Sequence, residues 1–155
     1  MGGTGDGGLV LSIRRMSEKD LGPLTALLAD ERVMRYLEAP FSPERTQAFL
    51  AEAGLCEPPL IWAVEDDDGF CGYVIYHAYD DRSMEIGWVL APRAWGRGYA
   101  TELTGVLAAR AHATGRDAVI ECSPSHAASR RVAEKCGFIV SGTRDDLLVL
   151  RLSAP

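Results

Sequence analysis

The sequence predicts a mixed α/β fold in which about seven strands and four helices form one domain. Three strand-like runs separated by short turns occupy residues 60–90, and this arrangement predicts an antiparallel meander. A glycine-containing segment then joins the third run to a helix-like segment, and two more strand-like runs end the chain. Together these segments predict the element order β-α-α-β-β-β-α-β-α-β-β.

One strand and two helices are predicted before the meander. The run "LVLSIRR" (Leu9–Arg15) alternates apolar and polar residues, as a half-buried strand does. Ser17 is expected to cap the first helix, because its side chain can accept a hydrogen bond from an unpaired N–H group of the first turn. Ser42 and Pro43 begin the second helix, and Gly54 is expected to end it.

The rest of the chain alternates strands and helices. Its strand-like runs are short and rich in β-branched and aromatic residues, whereas its helix-like segments repeat apolar residues every three or four positions. In chain order we predict strands over 60–65, 70–79 and 83–90, a helix over 99–113, a strand over 118–122, a helix that Ser125 caps and Gly137 ends, and strands over 138–142 and 146–152.

Composition narrows the classes of function. Sixteen residues are Lys or Arg and 22 are Asp or Glu, so the formal net charge is 16 − 22 = −6. This acidic balance argues against nucleic acid as the main partner and is compatible with a cationic substrate such as an amine. The four cysteines form no C-x-x-C pair and no zinc-site spacing, so we expect reduced thiols, no metal and a cytoplasmic location.

The chain length and its apolar runs bear on domain organisation. A chain of 155 residues suits one domain with its own core. No apolar run approaches the roughly 20 residues that span a bilayer, so no membrane partner is expected. The start "MGGTGDGG" is glycine-rich and lacks the apolar segment of a secretory signal, so we expect a flexible tail over 1–8 and a single domain over 9–155.

The stretch "PRAWGRGYATEL" places two glycines just before a predicted helix. Residues without a Cβ atom let the backbone approach a ligand closely, and the unpaired N–H groups of a helix N-terminus favour an anion. Gly96 and Gly98 therefore indicate a diphosphate site, although a tight turn that holds no ligand would use the same residues. A P-loop is excluded because no G-K-[ST] is present, and a dinucleotide fingerprint would need a glycine where Thr101 stands.

The segment "WGRGYATE" resembles the acyl-CoA loop of the GCN5-related N-acetyltransferases (GNAT superfamily), in the version of the ribosomal-protein-alanine acetyltransferase branch. Three further segments resemble that branch in the same order along the chain: "RRMSEKDLGPLTALLADERVMRYL", "SPERTQAFL" and "HAASRRVAEKCGF". The resemblance covers about residues 10–150. It implies the GNAT fold, a largely antiparallel mixed sheet whose strands splay at a CoA cleft.

The activity that the resemblance implies is N-acetylation. An acetyl group would pass from acetyl-CoA to a primary amine, either a protein N-terminus or a small molecule, by direct attack in a ternary complex and without a metal. Dimers are common among relatives, so the resemblance leaves a homodimer open. Two other classes also fit parts of the pattern: a CoA-binding sensor or interaction module without turnover and, on the glycines alone, a dinucleotide-dependent oxidoreductase.

The resemblance also implies which residues bind CoA. The N–H groups of Val89 and Leu90 would bond the pantetheine and the thioester oxygen, while those of the glycine segment would bond the diphosphate. Two arginines would add positive charge. The full set is Trp88, Val89, Leu90, Arg93, Trp95, Gly96, Arg97, Gly98, Tyr99, Ala100, Thr101, His126 and Ser129.

This chain departs from the family pattern in two places. His126 stands where an asparagine is usual, and a neutral imidazole offers its donor and acceptor in different positions. Ala133 stands where many members carry a general-acid tyrosine, as is common in this branch, so the donor to the leaving thiolate is unassigned. Ser129 is a candidate catalytic hydroxyl, with capping of its helix as the alternative.

Glu85 is the candidate general base. It alternates with Gly87 and Val89 along one strand, so its carboxylate points to the cleft if Val89 does. There it can take a proton from the attacking amine directly or through a water, although an ordinary exposed strand glutamate would show the same pattern. His77 and Tyr79, at the end of the preceding strand, are weaker candidates.

Overall fold

The computed structural model describes residues 11–155, which form seven β-strands and five α-helices. The strands are β1 (Ser12–Arg14), β2 (Ile61–Asp66), β3 (Gly69–Asp80), β4 (Ser83–Leu90), β5 (Asp117–Cys122), β6 (Ile139–Arg144) and β7 (Leu147–Leu152). The helices are α1 (Leu21–Ala29), α2 (Glu31–Met34), α3 (Pro43–Phe49), α4 (Tyr99–Ala113) and α5 (Ala127–Lys135). The tail predicted over residues 1–8 and the start of the predicted first strand lie outside the described residues.

The seven strands belong to one sheet in the order β1-β2-β3-β4-β5-β7-β6. The pairs β1–β2, β2–β3, β5–β7 and β6–β7 are antiparallel, whereas β4 and β5 are parallel. The parallel ladder is short, because its residue pairs run from Ser83↔Asp117 to Glu85↔Val119 and stop in the first half of β4. Helix α4 is the crossover that a parallel pair requires. The predicted mixed, largely antiparallel sheet is confirmed.

The described chain divides into two compact units, and the first contains residues 11–75 and 88–99. Its core lies between its helices and strands, and a fully buried leucine there, such as Leu24, contributes about 2 kcal/mol. Phe49 stands edge-on to Phe41 with the ring centroids 5.8 Å apart. The main buried side chains of this core are Met16, Leu24, Leu27, Leu28, Met34, Phe41, Leu50, Ile61 and Tyr73.

The second unit contains residues 76–87 and 100–155. Leu103, Leu107 and Ala111 repeat every four residues, so they lie on one face of α4, and all three are buried. Strands β5 and β7 add Val119, Ile120 and Leu150, and Phe138 follows α5 as the largest fully buried side chain.

Four local features differ from the sequence prediction. Helix α3 continues beyond Phe49 as a π-helical turn (Leu50–Gly54) with Leu55 as its C-cap, so Gly54 is the last residue of that turn and not the stop that follows the helix. The first helix is preceded by a 3₁₀ turn (Glu18–Asp20), where the N–H of Ser17 donates to the Asp20 carboxylate at 2.9 Å. Helix α2 is a single turn that the sequence pattern does not predict, so five helices replace the expected four. The N-cap position of the last helix is held by His126, not Ser125, because Ser125 belongs to the preceding turn and donates its N–H to the Ser123 hydroxyl at 3.2 Å.

Candidate active site

The glycine loop (residues 96–98) lies between β4 and α4. Gly96 and Gly98 have φ angles of +72° and +78°, which residues with side chains rarely adopt. The loop is exposed, and a Cβ atom added at Gly96 would meet no described atom within 4 Å. Helix α4 follows at once, so the loop leaves open backbone at the N-terminus of a 15-residue helix, where an anion is favoured. These features fit the diphosphate of CoA.

A buried carboxylate connects the two ends of the glycine loop. Arg93, before the loop, donates to both oxygens of Asp66 at 3.0 and 3.1 Å. Tyr99, after the loop, donates its hydroxyl to the same carboxylate at 3.0 Å. The Asp66 side chain is only 4% exposed, and the hydrogen bond from Arg93 lowers its pKa, so it is ionised at neutral pH. Asp66 is a residue that the sequence analysis missed, because the turn signal "DDDG" does not show which acid points inward.

The other side chains predicted around the loop differ in their exposure and in their hydrogen-bond partners. Arg93 also donates to two carbonyl groups of β3 at 3.2 and 2.9 Å, so its charge is compensated within the protein. The indole N–H of Trp95 donates to the carbonyl of Leu90 at 2.9 Å, which ties the approach to the loop to the end of β4. Arg97 is exposed within the loop, while Ala100 and Thr101 lie half-buried in the first turn of α4.

The end of β4 is packed closely against β3. Val89 and Leu90 are buried there, and Trp88 is half-buried. Gly72 of β3 has a φ angle of +145°, and a Cβ atom at this position would lie 2.1 Å from the carbonyl oxygen of Val89. Only glycine allows this approach of the two strands. The contacts of Trp88, Val89 and Leu90 with pantetheine stay predictions.

Glu85 lies in the second unit, in the half of β4 that pairs with β5. Its side chain is 22% exposed, and its Oε1 lies 3.7 Å from Nε2 of His77. Burial raises the pKa of Glu85, and the charge of Glu121 raises it further, whereas His77 and Arg144 oppose the rise. A half-buried carboxylate with a raised pKa is a stronger base than an exposed glutamate, which suits it to accept a proton.

A second glutamate lies on the same part of the sheet. Tyr79 donates its hydroxyl to Oε2 of Glu121 at 2.7 Å, and the guanidinium of Arg144 lies over the Tyr79 ring, 5.3 Å from its centroid. We call these residues, with Glu85 and His77, the carboxylate face. The hydroxyl proton of Tyr79 is therefore already donated to Glu121. The sequence analysis did not include Glu121 in the site, because the pattern of residues does not show which side chains of neighbouring strands meet.

His126 and Ser129 are brought together at the start of α5. The Ser129 hydroxyl lies 3.0 Å from Nδ1 of His126, and Ser129 is only 8% exposed. Burial lowers the pKa of His126, so its imidazole is neutral at pH 7. His126 occupies the N-cap position without a capping hydrogen bond from its side chain, and Ser129 lies within the first turn.

Residues 11–155 have neither a cluster of metal-ligating side chains nor a membrane-spanning helix. In this part of the chain, no group of three or more His, Cys, Asp or Glu side chains is placed to hold a metal ion. None of its helices is long and apolar enough to cross a bilayer. Its cysteines, Cys56, Cys71, Cys122 and Cys136, are free thiols.

Comparison with known proteins decides the family. A model of the acetyltransferase (GNAT) domain matches residues 11–139, which is most of the chain. The chain belongs to the GNAT acetyltransferase family. Its predicted membership is confirmed, and with it the prediction of an N-acetyltransferase. The glycine loop and Glu85 both lie within the matched region of this GNAT protein.

Relatives and solved structures support the assignment. The protein named "Uncharacterized N-acetyltransferase YnaD" from Bacillus subtilis (strain 168) is 28% identical over 137 residues, which are 83% of this chain and 78% of that protein. A spermidine N-acetyltransferase from Vibrio cholerae, solved with CoA and spermine, matches at a TM-score of 0.74 with 20% identity, covering 91% of this chain and 92% of that one. RimL, a ribosomal L7/L12 alpha-N-protein acetyltransferase solved with CoA, matches at 0.77 with 18% identity, covering 92% and 93%. At these identities the two structures show the shared fold.

Proposed function

We propose that this GNAT protein moves an acetyl group from acetyl-CoA to a primary amine by direct attack in a ternary complex. The observation that carries the proposal is the glycine loop, in which two residues with left-handed φ angles lead into a long helix and leave the backbone open to an anion. Acetyl-CoA supplies an activated thioester when it is bound. The two similar structures support this choice, because both were solved with CoA.

The proposed binding residues act mainly through their backbone. The N–H groups of the glycine loop and of the first turn of α4 would hold the diphosphate. Those of Val89 and Leu90 would bond the pantetheine and the thioester oxygen, which gives an oxyanion-type donor without a side chain. Asp66, through Arg93 and Tyr99, would keep the loop in shape.

Glu85 is the proposed general base. An amine arrives at pH 7 largely as an ammonium ion and must lose a proton before its nitrogen can attack. Burial raises the pKa of Glu85, so this carboxylate binds the proton more strongly than an exposed glutamate does. It can accept the proton directly or through a water.

Ser129 is the proposed catalytic hydroxyl on the side of the leaving thiolate. Its contact with Nδ1 of the neutral His126 imidazole gives it a partner that can return a proton to the serine oxygen while the other ring nitrogen takes a proton from water. Ala133, at the position where many members carry tyrosine, has no group that can serve as an acid. This assignment makes Ser129 and His126 act as a pair.

The acceptor is proposed to be a primary amine on a small molecule or a protein N-terminus. The names of the similar structures include one of each kind, a spermidine acetyltransferase and an acetyltransferase of ribosomal L7/L12. The net charge of −6 is compatible with a cationic acceptor. The homodimer and the cytoplasmic location stay predictions.

An acetyl-transfer assay tests the proposal. Thiol release from acetyl-CoA would be followed with putrescine, spermidine and short peptides that begin with alanine or serine, and products would be weighed by mass spectrometry. We expect amine-dependent thiol release and a product heavier by one acetyl group with at least one acceptor. CoA binding by calorimetry without transfer to any acceptor would favour the CoA-binding module instead. No CoA binding at all would remove the loop from the site.

A further inference from the structure

Glu121 lies on the same face of the sheet as Glu85. In the parallel ladder Glu85 pairs with Val119, and paired residues point to the same side. Side chains alternate along a strand, so Glu121, two residues after Val119, also points to that side. The second unit therefore places two carboxylates on one face of adjacent strands.

The Glu121 carboxylate is held by a hydrogen bond that crosses β4. Tyr79 belongs to β3 and Glu121 to β5, and β4 lies between these strands in the sheet. The Tyr79 hydroxyl donates to Glu121 at 2.7 Å, a short bond typical of a charged acceptor. The bond fixes a negative charge beside the strand that carries Glu85.

The remaining charged groups on this face come from β3, β6 and β7. His77 lies 3.7 Å from Glu85, and Arg144 covers the ring of Tyr79. Arg151 of β7 pairs with Val119 in the sheet, but its guanidinium is engaged by Asp117 at 3.0 Å. The charge of Glu121 is thus opposed on the face by two cationic or titratable neighbours.

The balance of these charges acts on Glu85. After burial, which is the largest cause, the charge of Glu121 raises the pKa of Glu85, whereas a protonated His77 and Arg144 lower it. Glu121 is therefore the one residue among these neighbours that makes Glu85 a stronger base.

We propose that Glu121 is a positioning residue for acetyl transfer, whose carboxylate, fixed by Tyr79 on the face of the sheet that carries Glu85, offsets the cationic neighbours of that base. The inference rests on the proposed role of Glu85 as general base. Glu121 acts through Glu85 and does not touch the amine. Loss of its charge should make Glu85 ionise at lower pH and accept a proton less strongly.

Titration of the carboxyl groups tests the electrostatic part without any substrate. The ¹³C carboxyl signals of glutamate would be followed against pH, with the Glu85 signal assigned by its absence from Glu85→Gln. We expect the Glu85 midpoint to move to lower pH in Glu121→Gln, which keeps an acceptor for Tyr79, and to higher pH in Arg144→Gln. Tyr79→Phe should move it in the same direction as Glu121→Gln but less, because the charge stays and only its anchor is lost.

A matched control removes one carboxylate elsewhere. Glu134 is an exposed residue of α5 that pairs with Arg130 at 3.0 Å, so Glu134→Gln changes the net charge equally. In Glu134→Gln the titration midpoint of Glu85 should equal that in the unmodified protein. Equal midpoints in Glu121→Gln and Glu134→Gln would overturn the proposal. If Glu121→Gln does not fold, Tyr79→Phe and Arg144→Gln test the proposal instead. The Glu85 midpoint should move to lower pH in the first and to higher pH in the second, and a midpoint unchanged in both would overturn the proposal.

The pH profile of kcat/KM, measured with the best acceptor from the amine panel, tests the catalytic part. In Glu121→Gln the acidic limb should move to lower pH, and the plateau should fall roughly two- to fivefold, because proton transfer follows the strength of the base. If the acidic limb of the kcat/KM profile does not move in Glu121→Gln while Glu85→Gln still loses activity, the role of Glu121 is overturned and the proposed base is not. Full activity in Glu85→Gln would overturn the proposed base, and the carboxyl titration would then judge the effect of Glu121 on Glu85 separately.

Discussion

The glycine loop and the carboxylate face serve their proposed tasks with different parts of the chain. The loop offers backbone, and its side chains are absent at two of three positions because the φ angles there are left-handed. The carboxylate face offers side chains from four strands, and its backbone is ordinary sheet. One region depends on what glycine permits, and the other depends on which charges lie side by side.

The difference predicts how each region responds to substitution. In the loop, nearly any added side chain should weaken binding of the cosubstrate, whatever its charge. On the carboxylate face, a substitution that keeps shape but changes charge should alter the rate and its pH dependence and leave binding of CoA intact. The following variants separate these two behaviours, from the largest expected effect to the smallest.

Glu85→Gln should have the largest effect, on kcat. The amide keeps the shape of the side chain but cannot accept the proton of the ammonium ion, and loss of a general base typically costs on the order of 10²–10⁴-fold in rate. The affinity for CoA, measured by calorimetry, should not change. Near-full turnover with the true acceptor would move the role to His77 or to water.

Gly96→Val should abolish or strongly weaken CoA binding, by on the order of 10–100-fold, because the new side chain both occupies the place of the anion and disfavours the left-handed backbone. Gly115→Val is the matched control. Gly115 has a φ angle of +76° and open surroundings like Gly96, but it follows the other end of α4. Both variants should lose a similar amount of stability, about 1–2 kcal/mol by thermal melting, and only Gly96→Val should lose CoA affinity.

Asp66→Asn should weaken CoA binding by roughly three- to tenfold, because two charge-assisted hydrogen bonds to the ends of the loop become neutral ones. KM for the amine should stay the same. Glu57→Gln is the control, since it removes the partner of Arg15 at the exposed surface, where such a pair contributes little. Equal CoA affinities of the two variants would count against the role of Asp66 in holding the shape of the glycine loop.

Asp66 also makes a prediction about pH and stability. Its pKa is lowered in the folded protein by the hydrogen bond from Arg93, so its contribution to the free energy of unfolding is present above the ordinary aspartate range, near ~3.9, and is lost as the pH falls through the lower folded value. The Asn variant should lack that part of the acid destabilisation. Denaturant melts of both proteins between pH 2 and 5 would measure the difference.

His126→Asn should have the smallest effect on CoA binding at neutral pH, with CoA affinity equal to or slightly above that of the unmodified protein. Burial lowers the pKa of His126, so the neutral imidazole persists to more acidic conditions than an ordinary histidine, which titrates near ~6.5. CoA affinity of the unmodified protein should then weaken only at pH values below the ordinary histidine range, and the Asn variant should not show this loss. Identical affinities of both proteins across the range would remove His126 from the site.

The sequence predicted those parts of the molecule that depend on neighbouring residues. The bounds of β4 and α4 and the glycines between them follow from local pattern, and the structure has each of them where it was expected. The missed parts depend on distant pairs. Asp66 and Arg93 are 27 residues apart, and Tyr79 and Glu121 are 42 apart. No periodicity or turn signal encodes such contacts, because they arise only when the strands take their order in the sheet.

The close approach of β3 to the end of β4 has a consequence for directed evolution. A library randomised at position 72 should return glycine alone, since the first side-chain carbon of any other residue would lie 2.1 Å from the carbonyl oxygen of Val89 and 2.9 Å from the Cα of Leu90. Selection for a new acceptor can therefore vary the side chains of the carboxylate face other than Glu85, but it has no path through position 72. That position would score as intolerant as Glu85 while contributing no chemistry.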